Sequence, residues 1–95
     1  MKVKEWKEIL RKFRTSFPVE SPVEVRRNPC KKYNGSTRFD GKKFLVQIDS
    51  DLSSDQQIGT LIHEWAHIMT IEDGYKHGVT WATNHSKVYG VIVEP

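Results

Sequence analysis

Apolar residues open this chain at helical intervals. Val3, Trp6, Leu10, Phe13 and Phe17 follow one another at steps of three and four, with Lys, Arg and Glu between them. That spacing predicts an amphipathic helix with one aromatic-rich face turned to a core. Pro18, which has no amide proton to donate, ends it. The period then shortens to two. Val23 and Val25 alternate with Glu24 and Arg26, a strand with one buried face. Phe44, Val46 and Ile48 alternate in the same way over 43–48, after Asp40-Gly41, a strong hairpin turn. Asn34-Gly35 is a second turn signal, so the strand before the hairpin is short or bulged. Helical spacing returns with Ile58, Leu61, Ile62, Trp65, Ile68 and Met69. Ser54-Asp55-Gln56-Gln57 reads as a capping box in front of them, and Asp73-Gly74 as their stop. A last helix is expected over about 78–93. The order of helix, small antiparallel sheet, helix and helix predicts a single α+β domain over 1–95.

The middle of the second helix carries the chemistry. His63-Glu64-Trp65-Ala66-His67 spells H-E-x-x-H. On a helix, i and i+4 share a face one turn apart, so two imidazoles can bind one Zn²⁺ from the same side. The glutamate beside the first histidine then reaches a water on the open side of the metal. Histidine and glutamate are poor guests in a buried helix without partners. That disfavours the plain alternative of two satisfied core histidines and a surface carboxylate. A third ligand is needed, and His77 and His85 are both candidates. On an unbroken helix from Gly78, residues eight positions apart lie about 12 Å apart along the axis. One metal with Zn–N bonds of about 2.0–2.1 Å cannot hold both. His77 sits where Gly78 permits a close approach, with Trp81 one turn on to pack against the metal helix. Glu72 and Asp73 are weaker candidates on a helix end pointing away.

Composition narrows the setting. The single cysteine, Cys30, excludes an internal disulfide and suits a reducing compartment. Beside Pro29 it reads as an ordinary strand or loop residue. No signal peptide and no membrane helix are expected, which points to the cytoplasm. Charge is uneven: residues 1–43 carry thirteen Lys/Arg and five Asp/Glu, and residues 44–95 carry two and seven. No nucleic-acid motif accompanies the basic half. An ordinary solvated face is the preferred reading, and weak DNA binding through that half, with Lys31, Lys32, Lys42 and Lys43 around the hairpin, is the alternative.

Strands followed by an H-E-x-x-H helix and one more helix resemble the zincin metallopeptidases. The segment His77-Gly78-Val79-Thr80-Trp81, running on to Ser86-Lys87-Val88-Tyr89, is similar to the H-G-x-x-[WF] motif of SprT-like metallopeptidase domains and their small phage-encoded relatives. So is the stretch from Ile48-Asp49-Ser50-Asp51-Leu52-Ser53 into the His63 helix. The resemblance covers about 36–92. It departs in the short gap of nine residues between His67 and His77, and in Val79-Thr80 where the family often has Pro-Glu. No counterpart is expected of the zinc-binding module that many members carry C-terminally. The resemblance implies a zincin-like fold and a zinc endopeptidase with one Zn²⁺ per chain held by His63, His67 and His77. Glu64 would be the general base and a protein or peptide the substrate, in the host cytoplasm if the chain is phage-encoded. It also implies an extended substrate beside an edge strand, expected over 43–48, and action on DNA-bound proteins. Tyr75, His85, Tyr89 and the metal are the candidates to stabilise the oxyanion.

Overall fold

The computed structural model describes residues 1–72 and 79–94. Among them run α1 (Val3–Ser16), β1 (Val23–Asn28), β2 (Gly35–Phe39), β3 (Phe44–Asp49), α2 (Ser54–Glu72) and α3 (Val79–Ile92). The aromatic stripe of α1 buries Trp6, Leu10 and Phe13, while Val3 at its start stays 64% exposed. The helix closes one residue before Pro18, with the Phe17 N–H donating to the Phe13 carbonyl at 2.8 Å.

The sheet is mixed, where the sequence suggested an antiparallel one. Its order is β1-β3-β2. β2 and β3 form the expected antiparallel hairpin, with Phe39 opposite Phe44 and Gly35 opposite Ile48. β1 instead pairs parallel to β3, Val23 beside Phe44 through Asn28 beside Asp49. A parallel pair needs a crossover of a dozen or more residues. Here residues 29–43 supply it, running out along β2 and turning back at the hairpin. β3 takes the centre because it is the most apolar strand. Phe44, Val46 and Ile48 on one face are at most 2% exposed. The hairpin turn has Gly41 at φ 96°, a backbone conformation that favours glycine. The Asp40 carboxylate accepts the N–H groups of Lys42 and Lys43 at 2.9 and 2.8 Å.

α2 lies against β2 and β3, and α3 lies against α2. Its capping box sits one residue earlier than the sequence suggested. The Gln56 N–H donates to Ser53 Oγ at 3.2 Å and the Ser53 N–H to Gln56 Oε1 at 3.1 Å. Gln57 is drawn inward instead, its amide donating to the Ser50 and Leu52 carbonyls. Trp65 anchors α2 to α1. Its ring lies 5.4 Å from that of Phe13, and its indole N–H donates to the Phe17 carbonyl at 3.1 Å. The buried Asn84 amide donates to Thr70 Oγ1 at 3.1 Å and ties α3 to α2. Among the described residues no helix is long and apolar enough to cross a membrane.

Candidate metal centre

Five turns of unbroken helix carry His63, Glu64 and His67 on the side of α2 between β2 and α3. Their ligand atoms lie within 4.8 Å of one another. The two Nε2 atoms approach to 3.0 Å. Two Zn–N bonds of about 2.0–2.1 Å at a tetrahedral angle would hold their nitrogens about 3.3 Å apart. The two rings are within hydrogen-bond distance of each other, a spacing that is also close to the bite of a single zinc ion, and the donor set fits it. His63 is exposed and His67 half-buried, so the pair faces an open side.

α3 supplies one wall. The Trp81 ring sits 4.9 Å from His63 and 5.5 Å from His67, the packing expected of a residue one turn into that helix. His85 packs tilted behind Trp81 at 5.1 Å, and the exposed Tyr89 stacks on His85 at 6.3 Å. His85 is not part of the ligand-atom cluster of His63, Glu64 and His67. Glu72 is engaged elsewhere, its carboxylate accepting the backbone N–H groups of Glu20 and Ser21 at 3.2 and 3.1 Å. His77, Asp73 and Tyr75 lie outside the described residues.

β2 supplies the other wall. Glu64 is only 5% exposed. Burial pushes its carboxyl above the usual range, and a hydrogen bond from Thr37 pulls it back less strongly. Thr37 Oγ1 donates to Glu64 Oε1 at 3.2 Å. Gly35 lets β2 come this close: an added Cβ would lie 2.5 Å from Thr60 Cγ2 and 3.5 Å from Glu64 Cγ. A cleft of about 430 Å³ opens beside this contact, lined by Asn34 and Gly35 on the strand side and by Gly59, Thr60, His63 and Glu64 on the helix.

Neither Gly35 nor Thr37 stands out in the sequence as a site residue. Their signal is parity. Each lies opposite a core residue of β3, where an apolar side chain is expected. The expected edge strand over 43–48 is instead the central strand, bonded on both sides, and β2 is the edge beside the site. The four lysines do not form one patch. Lys42 and Lys43 precede Phe44 at one end of β3, and Lys31 and Lys32 lie in the β1–β2 connection at the other. About five residue steps of strand, roughly 17 Å, separate those ends. Lys43 is partly neutralised by Glu24 at 3.5 Å. No family model, curated relative or solved structure matches the chain.

Proposed function

We propose that this chain is a zinc-dependent endopeptidase of zincin, SprT-like type, in which His63, His67 and His77 hold one Zn²⁺ and Glu64 is the general base. The observation that carries the reading is the 3.0 Å convergence of the His63 and His67 Nε2 atoms beside the buried Glu64 carboxylate. Zinc bound there would make a water acidic enough to deprotonate near neutral pH and would polarise a carbonyl. Glu64 accepts the proton of the attacking water and passes it to the leaving amine. An extended peptide would lie along β2, the edge strand of the sheet beside the site, where backbone pairing gives affinity without close reading of sequence. The cytoplasm is the proposed compartment.

The test is Glu64→Gln. The amide keeps the shape of the side chain but cannot take the proton. Hydrolysis of denatured casein is expected to vanish while one zinc per chain remains. Near-wild-type activity in pure, zinc-loaded Glu64→Gln protein would defeat the mechanism. Inactive wild-type protein with one tightly bound zinc would favour a metal that only stabilises the fold.

A second reading adds nucleic acid. Lys2, Lys4, Lys7, Arg11, Lys12 and Arg14 are all exposed on or beside α1 and outnumber the exposed Glu5 and Glu8, the latter paired with Arg11; this surplus favours a basic docking face that brings the site to DNA-bound proteins. It predicts weak duplex binding that falls steeply with salt. No detectable binding at low salt would leave this face as solvated surface.

A further inference from the structure

We infer that Thr37 is a positioning residue for Glu64: its hydroxyl fixes the orientation of the carboxylate beside the seam where His63 and His67 converge. The inference rests on the peptidase reading above.

Partners in an antiparallel pair share a face of the sheet. Gly35, Thr37 and Phe39 are therefore on the side of Ile48, Val46 and Phe44, all at most 2% exposed. Phe39 follows that apolar rule, its ring 4.9 Å from Phe44. Thr37 breaks it. Valine has nearly the same shape, suits a strand as well and brings no hydroxyl to a half-buried position. The hydroxyl is spent on Glu64 Oε1 at 3.2 Å.

That bond restrains the terminal torsion of Glu64. The terminal torsion of a glutamate is broad and roughly two-fold, so the backbone rotamer by itself leaves the carboxylate plane loosely set. Thr37 is a stiff anchor for it. It is β-branched, with few χ1 choices, and sits mid-strand opposite Val46. β2 is pinned on either side of it, by the Phe39–Phe44 ring contact and by Gly35 against Thr60. A threonine has a single proton to donate. Held at Oε1, the carboxylate keeps one plane, with lone pairs on both oxygens still able to accept the water's proton. Well-oriented proton transfer depends on such placement, and small displacements of a reacting group are costly in rate.

The rival account is that the hydroxyl merely satisfies a buried carboxylate. The two accounts diverge in Thr37→Val and Thr37→Ser, compared as zinc-loaded proteins on fluorescein-labelled denatured casein, with zinc content and melting temperature measured on the same samples. Losing a hydrogen bond to a charged group predicts a fall in kcat of roughly 10- to 100-fold for Thr37→Val. KM should stay within about twofold and zinc at one per chain, since neither depends on the carboxylate plane. Thr37→Ser, which restores only the hydroxyl, should recover most of kcat. Thr37→Val with near-wild-type kcat overturns the inference while leaving the peptidase reading intact. So does a loss that Thr37→Ser shares, or one that tracks lost zinc or unfolding at the assay temperature. Inactive zinc-loaded wild-type protein overturns both.

Discussion

Replacing Gly35 by alanine probes the contact between β2 and α2 directly. No positive φ is involved, since among the described glycines only Gly41 has one. The added methyl is therefore judged by space alone. It would lie 2.5 Å from Thr60 Cγ2 and 3.0 Å from the Gln47 carbonyl oxygen. Carbon atoms settle at about 3.5–4.0 Å, so strand and helix must part by about 1 Å. Thr60 yields little, being β-branched and bonded through Oγ1 to the Gln56 carbonyl at 2.8 Å. The same movement would stretch the Thr37–Glu64 bond from 3.2 Å to about 4 Å, beyond hydrogen-bond range. Overpacking of this kind costs about 1–3 kcal/mol. Alanine returns about 0.4–1 kcal/mol by restricting the unfolded chain. The net loss of about 1–2 kcal/mol lowers Tm by roughly 5–15 °C in a domain of this size. Thermal melts followed by far-ultraviolet circular dichroism measure it. Thr60→Ser removes the nearest methyl and keeps the hydroxyl, so Gly35→Ala/Thr60→Ser should recover about half of the loss. A Gly35→Ala protein that melts at or above the wild-type temperature would refute the reasoning, because β2 could not then press on α2 as closely as this geometry requires.

Asp40 is held below the usual carboxylate range mainly by the N–H groups of Lys43 and Lys42. Its folded pKa is depressed, so its stabilisation is present above the unfolded value near pH ~4 and is lost as pH falls through the acid range. Asp40→Ala should lower Tm at pH 7 but match wild type near pH 2, as paired melts at the two pH values will show. Glu72→Ala frees the N–H groups of Glu20 and Ser21 and should cost about 1 kcal/mol, with zinc affinity unchanged; a large drop in zinc affinity would revive Glu72 as a ligand. Zinc titrations of His77→Ala and His85→Ala should show a large loss for the first and little for the second, whereas the reverse would make His85 the third ligand. Chelation should lower Tm, because a ligand that binds only the folded state stabilises it by mass action. An unchanged Tm after complete zinc removal would argue that no metal holds this domain.

Whatever depends on near neighbours along the chain can be read from the residues alone. The apolar steps of α1 and α2, the alternation of β3 and the Asp40-Gly41 turn are local patterns. His63, Glu64 and His67 come together because one helical turn brings i and i+4 onto the same face, whatever the rest of the fold does. Tertiary structure decided which strands pair. A period of two shows that β1 and β3 are strands with one buried face, but the direction of pairing depends on how residues 29–43 cross over. β3 accordingly lies at the centre, and β2, not β3, forms the edge beside the site. The cap moved from Ser54 to Ser53 because Gln57 found buried carbonyls at Ser50 and Leu52. Thr37 lies 27 positions from Glu64 in sequence, and no local pattern links them. Strand register sets Thr37 on the core side of β2, and the missing side chain of Gly35 lets that strand close on the helix. The convergence of the two histidines was thus legible in five residues, whereas the environment of Glu64 exists only once sheet and helix have packed.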